Sequence, residues 1–404
     1  MKQALLLLPS RSYRASGFMS ACASVEAEII IGVNSEQVSE GMAGGLVKRF
    51  NFSDPECGAR QILDFAKGRD FCSVIPTEEE SVPLAAHAAA ILNIEHNSVD
   101  SVLACQNKDL LRSRLSAYGL PQPAFTFRDF EAVKQGWVPE IFPCVIKPTS
   151  LSGSCGVVRV NEESEFLSAF NRVKKIAFRH SVVTPSGLLV EEYLPGREIA
   201  VDALIHDGEV HVLAVFGKPD PLDGPYFPES IYLTLSRSSQ SELDDVESIL
   251  AEGVTALGLT KGPVHAEFRI NSSGIYLLEI AARSIGGQCG SCLSFDNGKK
   301  LEQVIVEYYL GENAPPYLLD ERSFGIMMLQ VEKNGVLRSI QGLERAQSQA
   351  NIDSINITLP IGQVVEALPE ARSYLGFIFA SSSDIRETEG ALRRARAAIE
   401  IVIS

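Results

Sequence analysis

Long apolar runs are missing from this chain. Its first segment, MKQALLLLPSRSYR, has five apolar residues in a row, Ala4 to Leu8, before a proline and two arginines. That is too short for a signal-peptide core, and no window approaches the ~20 apolar residues of a membrane span. Neither an export signal nor a membrane anchor is expected, and the expected compartment is the cytoplasm. Positive charge is also short, with 36 Lys and Arg against 51 Asp and Glu and a net charge of −15. This argues against non-specific binding to nucleic acid or anionic membranes, so any polyanionic ligand must be held by local cations. Paired cysteines are scarce. The eight cysteines are scattered singly except for Cys289 and Cys292 in QCGSC. No second pair completes a zinc site and the flanks are not thioredoxin-like, so both are expected as reduced thiols. What remains is an ordinary globular composition, 45% hydrophobic and 22% charged over 404 residues, enough for two to four domains at about 150 residues each.

The most informative stretch is GPVHAEFRINSSGIYLLEIAAR, Gly262 to Arg283. Val264, Ala266, Phe268 and Ile270 alternate with His265, Glu267 and Arg269, the pattern of a half-buried strand. A second apolar run, Ile275 to Ala281, follows the turn formers Asn271, Ser272, Ser273 and Gly274, which predicts a β-hairpin. A register centred on Ser273 puts Glu267 directly opposite Glu279, with Cβ atoms roughly 4.5–5.5 Å apart. Like charges so placed need a cation between them, and Mg²⁺ shared with nucleotide phosphates suits two carboxylates. The alternative is two solvated glutamates, or one paired with Arg269.

Along the chain, the first hundred residues alternate strands (Ala4 to Leu8, Glu28 to Val33, Phe71 to Pro76) with helices (Tyr13 to Ser24, Ile62 to Lys67, Pro83 to Leu92). This implies a parallel α/β sheet with helices on both faces. The loop Ser10 to Tyr13 follows the first strand, where open sheets place ligands, or is simply solvated. Asn107 caps a helix running to Tyr118, with Lys108 in its first turn, where a cation is comfortable only near an anion. FPCVIKPTSLSGSCGVVRV reads as a strand ending at Lys147, a Ser/Gly loop able to cup an anion, and a second strand. No Gly-Lys-Ser/Thr follows the loop, so this is not a P-loop. After a helix from Glu163 to Ala177, LLVEEYLPGREIAVD gives a strand, a turn at Pro195-Gly196, and Glu198 opening another strand. That geometry suits a purine on the backbone and a ribose diol on the carboxylate, or else is an acidic linker. Leu301 to Leu310 reads as a helix. The last part holds short strands (Gly325 to Val331, Ile352 to Leu359, Leu375 to Ala380) and a closing helix from Ile385 to Val402, an α+β unit.

Taken together, Lys108, VIKP with its SLSGSCG loop, EEYLPGRE, HAEFRI and LEIAAR resemble the ATP-grasp superfamily. The chain looks like its carboxylate–amine ligases, which include the L-amino-acid ligases that make dipeptides. The resemblance implies an α/β and α+β architecture: a Rossmann-like pre-ATP-grasp domain (1–105), a glycine-loop flap (106–195), a large subdomain with the metal site (196–315) and an α+β lid (316–404). It implies that Lys108 and Lys147 contact ATP phosphates under a loop containing Ser152, Gly153, Ser154 and Gly156. Glu191, Glu192, Tyr193 and Leu194 would form the adenine hinge, and Glu198 would bind ribose. Glu267 and Glu279 would hold one or two Mg²⁺, with Mn²⁺ as an alternative, and Arg283 would stabilise an acyl phosphate. Many members carry Asn two residues after the second metal glutamate. Here that position is Ala281. Lys218, in KPDPLDGP, would reach the γ-phosphate or a substrate carboxylate, or lie in a surface loop. The implied activity is ATP-dependent joining of a small carboxylate to an amine, with a thiol or bicarbonate acceptor, or an inactive nucleotide-binding module, as alternatives. The expected partners are small molecules, with neither nucleic acid nor membrane, and a homodimer is compatible.

Overall fold

The computed structural model describes all residues except 1, 36–45, 182–183, 236–239, 296–297 and 313–314. Strands β1 (Lys2–Leu7), β2 (Ala27–Val33), β3 (Val47–Arg49) and β4 (Phe71–Pro76) form a parallel sheet in the order β3-β2-β1-β4. The unbroken apolar run of β1 is explained by burial on both faces. Ala4 and Leu6 enter a core with α1 (Ala15–Ala23), and Leu5 and Leu7 one with α2 (Pro55–Phe65) and α3 (Val82–Leu92). Each such leucine is worth about 1.5–3 kcal/mol of burial. Helix α2 starts seven residues before the expected Ile62, because Asp54 caps it at the Cys57 amide and Pro55 opens it. Helix α4 (Val99–Gln106), capped by Ser98, escaped the sequence reading, and α5 (Lys108–Ala117) follows with the expected Asn107 cap.

Next come β5 (Phe125–Asp129), α6 (Phe130–Lys134), β6 (Cys144–Lys147), β7 (Val158–Val160), α7 (Glu163–His180) and β8 (Gly187–Glu192). They form an antiparallel sheet, β5-β8-β6-β7, whose apolar face packs on Phe166, Phe170 and Val173 of α7.

The largest sheet has the order β13-β12-β9-β10-β11-β14-β18-β16. Its strands are β9 (Arg197–His206), β10 (Glu209–Lys218), β11 (Ile231–Thr234), β12 (Gly262–Asn271), β13 (Gly274–Ala281), β14 (Ser323–Leu329), β16 (Ile352–Ile357) and β18 (Gly376–Ser382). One face is covered by α4, α5 and α8 (Gln240–Leu257). The other meets the N-terminal unit and α9 (Leu301–Tyr309). The C-terminal part adds β14, β18 and β16 to this same sheet, while β15 (Gly335–Gln341), β17 (Val364–Val365) and β19 (Glu400–Ile403) make a small one. A short helix, α10 (Leu343–Gln347), follows β15. The closing helix, α11 (Ile385–Ala397), stops five residues short of the expected Val402. Glu400 to Ile403 instead pair with β15, with Ile403 buried, as its β-branched residues favour. No helix among the described residues is long and apolar enough to cross a membrane.

Candidate active site

A cavity of about 430 Å³ opens where these sheets meet. Its walls are the loops following β1 and β4, at the C-terminal ends of parallel strands, together with the β6–β7 loop, the β8–β9 connection and the β12–β13 hairpin. The hairpin pairs Glu267 with Glu279 as expected, but its turn closes one residue off the register centred on Ser273, with Asn271 paired to Gly274 and Phe268 to Leu277, and a bulge between Glu267 and Phe268 makes up the difference. Both glutamates line the cavity. Arg269, on the same strand, does not pair with either of them. Its guanidinium donates to Glu198 Oε2 at 2.8 Å and to the Gly196 and Leu222 carbonyls.

Lys218 ends β10 and is buried, not part of a surface loop. Its ammonium contacts Glu198, Glu229 at 3.0 Å and Glu267 at 3.0 Å. Among the described residues these three carboxylates form the one cluster close enough to share a cation, and Lys218 supplies one. Three carboxylates raise the Lys218 ammonium well above its ordinary value against the cost of burial. Burial pushes the Glu229 carboxyl up to about 7 although Lys218 pulls it down. Burial also disfavours charge on Glu267, but Lys218 and His265 hold that carboxyl well below the usual range. His265 Nδ1 lies 2.7 Å from Asp202 Oδ1, and Nε2 lies 3.8 Å from Glu267 Oε1. Burial opposes the imidazolium, yet these two carboxylates raise it to about 9. Asp202, fully buried, also accepts the Ile285 amide at 3.0 Å, tying the strand to the turn after Arg283.

On the opposite wall, Lys147 Nζ lies 2.7 Å from Glu191 Oε2. Glu191 is shared with buried Arg112, whose Nε donates to Oε1 at 2.6 Å and whose other nitrogens reach the Leu277 and Leu278 carbonyls of β13. Burial lowers the Lys147 ammonium to about 8, Glu191 opposing and Arg112 and Lys108 assisting. Lys108 Nζ donates to the Leu151 carbonyl at 2.8 Å and lies 3.5 Å from Glu279. The anion that its helix position calls for is therefore Glu279. Arg283 Nε donates to Glu79 Oε2 at 2.6 Å. Burial works against its charge, which Glu79, Glu279 and Glu78 nonetheless reinforce.

Of the residues nominated from sequence, Lys108, Lys147, Ser152, Gly153, Ser154, Glu191, Glu192, Tyr193, Leu194, Glu198, Glu267, Glu279 and Arg283 line this cavity. Gly156 and Lys218 do not. Gly156 lies behind the loop, its amide donating to the Pro369 carbonyl at 2.8 Å. The Glu192 and Tyr193 amides are spent on Ala124 and Pro143, whereas among the described residues the Leu194 amide has no such acceptor. Glu229, His265, Asp202, Glu78 and Glu79 escaped nomination. His265 and the glutamates of TEEES stood in plain sequence, but nothing local marks Glu229 or Asp202 as site residues, because Lys218 and His265 reach them from other strands.

Comparison with known proteins places this geometry in a family. Residues 140–292 match the ATP-grasp domain, and residues 327–404 match the L-amino acid ligase C-terminal domain 2. The chain carries an ATP-grasp domain. An L-amino acid ligase from Bacillus licheniformis superposes with a TM-score of 0.84 at 23% identity, covering 100% of this chain and 99% of that one. An N5-carboxyaminoimidazole ribonucleotide synthetase from Thermotoga maritima superposes at 0.71 with 16% identity, covering 100% of both chains. The uncharacterized protein y4rH of Sinorhizobium fredii (strain NBRC 101917 / NGR234) is 20% identical over 411 residues, covering all of this chain and 84% of its own length. The ATP-grasp match spans Lys147, the glycine loop, Glu267, Glu279 and Arg283, while Lys108 and Glu79 reach the same cavity from outside it.

Proposed function

We propose that this ATP-grasp chain joins a carboxylate to an amine through an acyl phosphate, releasing ADP and phosphate. One observation carries the reading: Glu267 and Glu279, opposed in register, line the same cavity as Lys147 and the Ser152–Ser154 loop. Opposed carboxylates are a hard-oxygen donor set, and the depressed Glu267 carboxyl is ionised at neutral pH, so the pair fits Mg²⁺. Bound there with ATP, Mg²⁺ would neutralise charge on the phosphates. Because Ala281 replaces an amide ligand, phosphate oxygens and water would complete its coordination.

A carboxylate resists an amine because oxide is a poor leaving group. Attack of a carboxylate oxygen on the γ-phosphorus, with ADP departing, converts it to an acyl phosphate. The amine nitrogen then bonds to the acyl carbon, inorganic phosphate leaves, and the amine gives up a proton. Phosphoryl transfer asks the protein for position and charge more than for covalent chemistry. Lys108 and Lys147 would supply that charge on the phosphates, and Arg283 on the acyl phosphate. The Leu194 amide would donate to an adenine nitrogen. Glu198, held by Lys218 and Arg269, would meet the ribose hydroxyls. Half-buried Glu78 and Glu79 give the substrate side a negative wall suited to a cationic amine. The glycine loop would keep water from the intermediate.

The test is a pool of amino acids and small carboxylates offered with ATP and Mg²⁺, scored by ADP release and by product mass. An amide product with stoichiometric ADP supports the reading. ADP release without a condensed product, or no ADP release from any pool, refutes it.

A further inference from the structure

A cation outside every motif named above also faces the cavity. Residues 366–374 cross from β17 to β18 as a strap anchored at both ends. The Ala367 amide donates to Asn334 Oδ1 at 2.7 Å, the Thr358 hydroxyl to the Tyr374 carbonyl at 2.8 Å, and the Leu375 amide to the Leu329 carbonyl at 2.8 Å. Between its anchors the strap is fastened to the glycine-loop unit. The Gly156 amide donates to the Pro369 carbonyl at 2.8 Å. Arg172 grips Glu370 with two nitrogens, at 2.7 and 2.9 Å, and Arg179 meets Glu366 at 2.6 Å. Exposed ion pairs are individually weak, but a forked pair in series with a backbone bond fixes orientation.

Just past this fastening, Arg372 lines the same cavity as Ser152, Gly153 and Ser154. Lys108, Lys147, Arg269 and Arg283 each have a carboxylate partner. Among the described residues Arg372 has none, so its charge is uncommitted. Its field reaches Cys155 in the loop and His180 at the end of α7, which puts it on the glycine-loop side. A guanidinium presents a planar fork matched to phosphate oxygens, and a chain of net charge −15 must gather cations locally for a polyphosphate.

We propose that Arg372 contacts the terminal phosphoryl group of the bound nucleotide, carried there by a C-terminal strap fastened to the glycine loop. The inference rests on the nucleotide reading above, but its test needs neither an acid nor an amine. Calorimetry compares the magnesium complexes of β,γ-imido-ATP and of ADP on the full chain. Arg372→Gln is expected to weaken the imido-ATP complex about tenfold, the lower end for a charge-assisted hydrogen bond, and to change ADP binding less than about twofold. Arg372→Lys should recover part of the loss. Glu370→Gln, which loosens the strap without touching the ligand, should reproduce the same preference on a smaller scale. Equal losses for both nucleotides, or no loss for imido-ATP, overturn the proposal while leaving the ligase reading intact. A parent protein that binds neither nucleotide overturns both.

Discussion

Glu267 and Glu279 are register partners on neighbouring antiparallel strands, and each is met by a different lysine: Lys218 at 3.0 Å from Glu267 and Lys108 at 3.5 Å from Glu279. Two carboxylates at the about 4.5–5.5 Å Cβ spacing of a cross-strand pair repel, and each of these lysines is within 4 Å of one of them. A divalent ion there is expected to be needed for turnover. Glu279→Ala should lower Mg²⁺-dependent ADP release by on the order of 100-fold or more. The fold should persist, because the Glu279 side chain is 26% exposed. ADP release measured across a Mg²⁺ titration decides the matter, and unchanged turnover in this variant would remove the metal assignment.

Lys218 is the cation of the Glu198, Glu229 and Glu267 cluster, and its removal leaves three carboxylates facing one another in a buried site. Lys218→Met should therefore cost about 3–5 kcal/mol in stability, the range for breaking a buried ion pair from one side. Urea unfolding followed by fluorescence or circular dichroism measures this. Because the three oxygens lie within 4.8 Å of one another, millimolar Mg²⁺ should restore part of the loss. A variant as stable as its parent, with no response to Mg²⁺, contradicts the account.

The bulge after Glu267, which sets Phe268 opposite Leu277, was not legible, but the hairpin and its Glu267–Glu279 pair were, because a period of two and the turn formers Asn271 to Gly274 mark them locally. Strand β6, ending at Lys147 before Pro148, was legible for the same local reason. Glu229 was not. Its hydrogen bond to Tyr232 is local, but the ammonium that draws it into the site, Lys218, meets it only once β10 and β11 are paired. Glu191 was nominated as hinge backbone, yet its side chain braces Lys147 against Arg112, an arrangement made by residues 79 positions apart. The end of the chain misled for a different reason. Ile401 to Ile403 continue the apolar pattern of α11, and only the free edge of β15 converts them into a strand.

Lys147 carries a pH signature. Burial lowers its ammonium from 10.5 to about 8, and phosphate oxygens would raise it again, so nucleotide binding takes up a proton above pH 8. Affinity for magnesium-bound β,γ-imido-ATP should be level below about pH 8 and fall as pH rises beyond it. In the free protein the sign is opposite. Between 8 and 10.5 the unfolded chain holds more protons at this residue than the folded one, so its contribution to stability increases with pH. Lys147→Arg should flatten the binding profile, since arginine stays charged throughout. Calorimetric titrations from pH 7 to pH 9.5 test this, and a level profile in the parent protein would reject it.

The glycine loop offers a graded test of whether its shape matters. Gly153, Ser154 and Gly156 all have positive φ, at 63°, 57° and 76°. An alanine in this left-handed region costs about 1–2 kcal/mol wherever it is placed. At Gly153 a Cβ meets nothing within 4 Å, so Gly153→Ala should show that cost alone. At Gly156 a Cβ would lie 2.8 Å from Pro148 Cγ and 3.0 Å from its Cδ, and the proline ring has little room to yield. Gly156→Ala must shift the loop away from the residue that follows Lys147, and with it the amide that reaches Pro369. The expected order is a modest loss of nucleotide affinity for Gly153→Ala and a larger one for Gly156→Ala, read by calorimetry on both proteins. Equal losses, or the reverse order, would mean that loop strain and the Pro148 contact do not govern the phosphate side of the cavity.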